Sequence, residues 1–352
     1  MVRRHPAIVS QPIIRLVAVV RGPDVTSPAP DAHGAPGRVR IFGGILATDR
    51  SLPGLPVAQT NSDGHFASWT LQTRDAGTAS ASHSAGAREI GRLEYSQGAV
   101  VTLAVAHDTL EILVSDTGRF TLLADGRTIE HLAPPAVARG AVALDLIGVV
   151  LPTLLHRDGA WCVHASAVQS PAGVIAFVAA RGTGKSTLAA ACVHAGCALV
   201  ADDVVVLRET TAGISVTPAG VPLRLHAGTA RAVGVHADDA DEWGKVRVVG
   251  ALAQAALPLD AIYVLQASDA DAAVARAPRA TRAAALALLA NGKITSLLGG
   301  DLAGDALSRC VSLAHRASVF DLAVPRDLER LGSVTEQLHS WHALAPATEA
   351  HQ

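Results

Sequence analysis

Residues 173–187 read GVIAFVAARGTGKST, and this stretch decides the fold class. Val174 to Val178 is an apolar, largely β-branched run that predicts a strand. A Gly-rich bend follows and ends in Gly184-Lys185-Ser186-Thr187, after which Leu188 to His194 predicts an Ala/Leu helix. Strand, Gly-rich bend and helix in that order are the context a phosphate-binding P-loop requires. Backbone N–H groups across Arg181, Gly182, Thr183, Gly184, Lys185, Ser186 and Thr187, with the positive end of the helix, would cradle a polyphosphate such as that of ATP. Lys185 would reach the β- and γ-phosphates, and the Ser186 hydroxyl would ligate Mg²⁺. The usual pattern begins with Gly where this chain has Ala179, but Gly182 and Gly184 still permit close backbone approach. A Gly-rich turn with a purely structural role is the alternative.

Upstream, Trp161–Val168 predicts a strand joined by the Ser170-Pro171-Ala172-Gly173 turn straight to the P-loop strand. So tight a connection implies an antiparallel neighbour and therefore a mixed sheet. Downstream, the apolar stretch Ala198–Ala201 runs into Asp202-Asp203, one helix and one strand after Lys185, and Val204–Leu207 continues the apolar run. That spacing can return both carboxylates to the phosphates. One could hold Mg²⁺ through water while the other accepts a proton from an attacking hydroxyl. A solvated turn is the alternative for the pair. His164 lies in the Trp161–Val168 strand with apolar neighbours, where a lone His is usually a hydrogen-bonded core residue. The hairpin, however, carries it toward the P-loop.

The chain of 352 residues is long enough for two domains, here divided as a β-rich domain over 1–135 and a P-loop catalytic domain over 136–352. Apolar residues make up 49% and charged residues 17%, enough for packed cores. A net charge of −2 and 3% aromatic residues leave neither an electrostatic footprint nor a stacking surface for nucleic acid. Cys162, Cys192, Cys197 and Cys310 show no CxxC spacing, so buried free thiols and a reducing, cytoplasmic setting are expected. Fifteen histidines lack metal-ligand spacing. The basic, then apolar N-terminus is interrupted by Arg15 and reads as a first strand, Ile13–Val20, rather than a signal peptide. The apolar stretch Ala141–Leu155 carries Asp145 and Pro152 and is too short to span a bilayer, so no membrane partner is expected.

In the first part, Gly22–Gly37 with its four prolines and Asp75–Gly91 read as loops. Val39–Leu46, His65–Leu71, Val100–Ala106, Thr109–Ser115 and Phe120–Leu123 read as antiparallel strands, with hairpin turns at Asp108 and Asp125-Gly126. Apolar residues at intervals of three and four predict a helix over Ala136–Leu155. Short strands are expected at Ile214–Thr217, Leu223–Leu225, Lys245–Val249 and Ile262–Leu265, and helices at Ala280–Ala290 and Arg326–His342. Lys245 and Arg247 alternate on one strand and so share a face. With Arg224 they are candidates to neutralise a transferred phosphoryl group or to grip a substrate carboxylate.

Taken together, HASAV from His164, AFVAARGTGKSTLA from Ala176 and LVADDVVVL from Leu199 resemble the catalytic core of the HPr kinase/phosphorylase superfamily. The resemblance implies a P-loop domain related to phosphoenolpyruvate carboxykinase and transfer from ATP to a serine of a small protein. It matches Lys185 and Ser186 to the phosphate and Mg²⁺ residues. It also matches Asp202 to the acid/base aspartate, Asp203 to the metal-side aspartate and His164 to the active-site histidine. Two stretches depart from the family pattern. The acidic-Ile-Arg-Gly strand of bacterial HPr kinases is absent, and Val221-Pro222-Leu223-Arg224-Leu225 stands in its neighbourhood. Ser51-Leu52-Pro53-Gly54-Leu55-Pro56 and LPTLLHRDGAWCVHASA (151–167) are similar to a divergent branch that includes kinases of lasso-peptide precursors. The reading is thus an ATP- and Mg²⁺-dependent serine kinase acting on a peptide or small protein, with homo-oligomer formation and reverse phosphorolysis both allowed. A small-molecule kinase, for instance of free serine, and a nucleotide-gated binding module without transfer are the rival readings.

Overall fold

The computed structural model describes residues 37–57, 68–77, 82–94, 98–238, 240–241, 244–269, 272–298 and 301–343. The expected strand Ile13–Val20 lies outside them, as does nearly all of the loop expected over Gly22–Gly37. The run Val39–Leu46 is two strands, β1 (Gly37–Ile41) and β2 (Gly44–Thr48), and not one. Phe42 and Gly43 both take positive φ, +47° and +73°, which turns the chain back on itself as a two-residue hairpin demands. Next come β3 (Trp69–Asp75), β4 (Arg88–Glu94), β5 (Val100–Ala106), β6 (Thr109–Val114), β7 (Gly118–Leu122) and β8 (Thr128–Ala133). They form one eight-stranded sheet in the order β1-β2-β3-β8-β7-β6-β5-β4. The sheet is not purely antiparallel, because β3 runs parallel to both β2 and β8. Strand β4 replaces the end of the expected loop over Asp75–Gly91. Its charged residues suit an exposed sheet edge, which is why it does not read as a strand.

The expected helix over Ala136–Leu155 is a continuous helical run, α1 (Arg139–Asp145), a π-turn (Leu146–Val150) and α2 (Leu151–Arg157). At 19 residues, Arg139–Arg157 is long and apolar enough to cross a membrane by length and composition alone, so the length exclusion does not hold. Within the fold, 61% of its apolar window is buried. The expected strand Trp161–Val168 breaks at His164 into β9 (Trp161–Val163) and β10 (Ala165–Ser170). The break follows from pairing, since β9 joins the strand Val205–Thr210 while β10 joins Gly173–Val178 and Ala198–Ala201.

The second sheet is completed by β11 (Gly173–Val178), β12 (Ala198–Ala201), β13 (Val205–Thr210), β14 (Gly213–Thr217), β17 (Leu257–Ser268), β18 (Ala275–Pro278) and β19 (Val319–Pro325). A separate two-stranded ribbon pairs β15 (Arg224–His226) with β16 (Lys245–Arg247). The nine-stranded sheet is mixed as expected: β10 and β11 are antiparallel, whereas β11, β17 and β19 run parallel. Helix α3 (Lys185–His194) begins at the lysine, a turn earlier than expected. Helices α4 (Ala227–Val233), α5 (Thr281–Ala290), α6 (Asp301–Arg316) and α7 (Leu331–Trp341) follow, of which α4 and α6 have no counterpart in the sequence reading.

Two apolar clusters place these layers. One holds the inner face of the first sheet, α2, α5, α6 and residues of both sheets; the other packs α3, α4 and α7 against the far face of β11 and β17. A chain of polar contacts fastens α7: Arg276 donates to the Tyr263 hydroxyl (2.9 Å), which lies 2.7 Å from His342 Nε2, and His342 Nδ1 lies 2.5 Å from Asp260 Oδ2. All four cysteines are buried and free, and burial raises their thiol pKa values.

Candidate active site

Strand β11 is buried throughout and delivers the chain to Ala179, itself buried, at the start of the loop. Gly182 and Gly184 take φ of +79° and +99°, and Gly184 caps α3. A Cβ at either would meet nothing within 4 Å, so the requirement for Gly here is conformational rather than steric. Thr183 Oγ1 donates to the Ala180 carbonyl at 2.8 Å and tightens the turn. Lys185 is 5% exposed and lies along the loop, its Nζ donating to the carbonyls of Ala179 (2.8 Å) and Ala180 (3.1 Å). Burial lowers its pKa to about 8, against the opposing charges of Asp203 and Asp202. Ala179 thus packs its methyl group in the core while its carbonyl holds the lysine, which accounts for its standing where Gly is usual.

The end of β12 brings Asp202 to this loop. Ser186 Oγ donates to Asp202 Oδ1 at 2.8 Å, and Ser166 Oγ, from β10, donates to the same oxygen at 2.5 Å. Burial raises the Asp202 pKa, the two hydroxyl donors lower it, and the Asp203 charge raises it again. Asp203 takes φ +67°, and the Val204 N–H reaches back to the Asp202 carbonyl at 2.8 Å. An i to i+2 turn through a non-glycine left-handed residue costs on the order of 1–3 kcal/mol. Its effect is to aim two successive carboxylates at different partners.

Asp203 faces His164 and Lys293. His164 Nδ1 is 2.9 Å from Asp203 Oδ1 and 3.3 Å from its carbonyl oxygen, and Lys293 Nζ is 2.5 Å from Oδ2. Both contacts of His164 Nδ1 are acceptors, so that nitrogen carries the proton. Burial alone would raise the Asp203 pKa, but the Lys293 charge and the His164 hydrogen bond hold it well below the usual carboxylate range. The turn after α5 is fastened to β9, His164 N–H to Asn291 O (2.7 Å) and Lys293 N–H to Cys162 O (2.8 Å), and so delivers Lys293. Neither Lys293 nor Ser166 was singled out from the sequence. Ser166 carries one available signal, a hydroxyl inside an apolar strand, whereas Lys293 is 90 residues from its partner and carries none.

The strand carrying Lys245 and Arg247 lies beside Arg224, as the register Arg224↔Arg247 and His226↔Lys245 shows. Arg224 donates from Nε (2.9 Å) and Nη2 to Asp241 Oδ2. Burial and the Arg224 charge lower the Lys245 pKa, with Asp202 and Asp203 acting to raise it. The structure therefore gathers His164, Arg181, Lys185, Ser186, Asp202, Asp203 and Lys245 into one electrostatic neighbourhood, with Arg224 and Arg247 at its margin.

The oxygen-only pair of Ser186 and Asp202 suits Mg²⁺, which is held by one or two carboxylates together with the phosphates it bridges. Among the described residues no group of three or more His, Cys, Asp or Glu forms a self-sufficient metal cage.

No protein-family model matches the chain, and no curated protein matches it. Among solved structures, the HPr(Ser) kinase/phosphatase from Coxiella burnetii is similar over 51% of this chain and 97% of its own, at 11% identity and a TM-score of 0.26. At that level the likeness carries no argument.

Proposed function

We propose that this protein is a kinase that transfers the γ-phosphoryl group of ATP to a hydroxyl of a peptide or small protein. The observation that carries the reading is the direct bond between Ser186 Oγ and Asp202 Oδ1, beside a lysine folded along a Gly-rich loop at the head of α3. Loop N–H groups and Lys185 bind the phosphates, Lys185 exchanging its two carbonyl partners for phosphate oxygens. Ser186 and Asp202 hold Mg²⁺, which when bound neutralises charge on the transferring phosphoryl group.

Asp203, fixed by Lys293 and His164, orients the acceptor hydroxyl. The new P–O bond forms as the β–γ bridge breaks, and the hydroxyl proton passes to Asp203. A weak base is enough, because loose phosphoryl transfer depends chiefly on positioning and electrostatics. This allocation exchanges the roles the family resemblance implies for the two aspartates, and it does so because the hydroxyl on the metal side is bonded to Asp202. The resemblance of 51–56 and 151–167 to the divergent branch extends the acceptor class to lasso-type precursor peptides.

Intact-mass analysis of candidate precursor peptides after incubation with the protein, ATP and Mg²⁺ tests the reading. Gain of one phosphoryl group on a serine is the expected result. Phosphorylation of free serine without peptide would make the protein a small-molecule kinase. Bound nucleotide with no phosphorylated product from any acceptor would overturn the transfer reading.

A further inference from the structure

The ribbon of β15 and β16 has two unlike faces. Leu225 and Val246 point into the core and are 5% and 7% exposed, while Arg224, His226, Lys245 and Arg247 share the opposite face by register. Of the acids beside them, Asp241 is already engaged: its Oδ2 accepts from Arg224, and its Oδ1 accepts from the Lys245 backbone N–H at 3.0 Å, while Asp238 donates its N–H to the Arg247 carbonyl at 3.0 Å. Lys245 Nζ and the Arg247 guanidinium make no hydrogen bond or ion pair among the described residues, although both side chains are half-buried. Two partly desolvated cations that make no direct ion pair gain from an anion that joins them.

Leu225 and Val246 share one apolar cluster with Leu188 and Ala189 of α3, which sets the ribbon beside the head of that helix, and Lys245 feels the charges of Asp202, Asp203 and Arg181. Arg247 lies two residues further along the strand, about 6.6 Å away. It borders the first sheet's Leu52–Leu55 turn, where a Cβ on Gly54 would come within 3.2 Å of Arg247 Nη2. The cations therefore line a path that leads from the paired acids toward the first sheet. The planar fork of Arg247 matches a carboxylate with two parallel hydrogen bonds.

We propose that Lys245 and Arg247 form an acceptor subsite for an acidic peptide segment, binding carboxylates close in sequence to the hydroxyl that is phosphorylated. The subsite rests on the kinase reading for its role as an acceptor site.

The test uses pairs of synthetic peptides, each with one serine flanked either by Asp and Glu or by Asn and Gln. Binding to the full-length chain saturated with a non-hydrolysable ATP analogue is read by fluorescence anisotropy, and transfer from ATP by intact mass. The acidic member of each pair is expected to be favoured by about tenfold or more, since hydrogen bonds to charged groups carry that difference. Arg247→Ala should bring the ratio near one with the affinity for the ATP analogue unchanged, which also reports that the variant is folded. Arg247→Lys should restore part of the preference.

Equal binding of acidic and neutral peptides by the wild-type protein would overturn the subsite. So would a preference that survives Arg247→Ala, or loss of ATP-analogue affinity in that variant, which would assign Arg247 to the nucleotide. Acidic preference in binding without any phosphoryl transfer would support the subsite and sink the kinase reading.

Discussion

The Ser186 hydroxyl and the Asp202 carboxylate are joined directly, Oγ to Oδ1 at 2.8 Å, across the gap between the head of α3 and the end of β12. Ser166 donates to the same Asp202 oxygen from the neighbouring strand. Three backbone elements thus converge on one carboxylate oxygen, and Oδ2 of Asp202 carries no hydrogen bond among the described residues, which leaves it available to a metal ion. Asp202→Asn keeps the shape and removes the charge. Nucleotide binding should persist, the Mg²⁺ concentration for half-maximal rate should rise by about tenfold or more, and transfer should fall by at least about a hundredfold. An Asn variant with unchanged Mg²⁺ dependence would return the metal to Asp203.

Lys293 and His164 each occupy one oxygen of Asp203. Lys293→Met leaves the His164 hydrogen bond to hold a carboxylate in a strained turn, so kcat should fall by about tenfold to a hundredfold while KM for ATP stays put. Lys293→Arg, which can still pair with Oδ2, should recover much of the rate. A purely structural role would instead lower stability in both variants and leave the ratio of their kcat values near one.

Lys185 gives a pH signature whose sign is fixed by its burial. The folded pKa of about 8 lies below the ordinary lysine value of 10.5, so between these values the unfolded chain binds the proton that the folded chain has lost. Stability of the nucleotide-free protein should rise with pH across that window, as the cost of burying a charged amine disappears. Phosphate oxygens beside Nζ favour the charged form, so nucleotide binding should take up a proton. At pH near 8 the uptake should be about half a proton, fading toward neutral pH. Calorimetric titration of ADP in buffers of differing ionisation enthalpy measures it, and Lys185→Met should abolish it.

The Gly-rich loop was legible because it is local: β11, the bend and α3 are contiguous, and two glycines with positive φ mark the turn. The paired acids were legible for the same reason, one helix and one strand downstream. What escaped depends on partners distant in sequence. His164 was singled out, but the break around it was not: it lies between β9 and β10, and only their different neighbours explain the break that lets it face Asp203. Lys293 comes from a turn whose position is set by hydrogen bonds to β9. Helix α6 went unread because its apolar stripe is dispersed among Asp, Arg, Ser and His. In the first sheet, β3 lies between β2 and β8, a parallel order that strand-forming residues alone do not encode.

Gly91 offers a test of how the first sheet meets the second. It sits on β4 where the pairing with β5 shifts register, and a Cβ built there would lie 1.8 Å from the Leu297 carbonyl oxygen. The obstacle is backbone belonging to the short turn that follows Lys293, so no side-chain rotation relieves it. Gly91→Ala must push β4 away from that turn or distort both, at a cost of about 1–3 kcal/mol or more. Because the first sheet shares one apolar cluster with α2, α5 and α6, urea unfolding should stay a single transition at a lower midpoint. Gly77→Ala serves as the control: its φ is positive as well, but a Cβ there meets nothing within 4 Å, so it should lose only the backbone strain, about 1 kcal/mol. A Gly91→Ala protein no less stable than this control would mean that β4 does not rest on the 295–297 turn in solution.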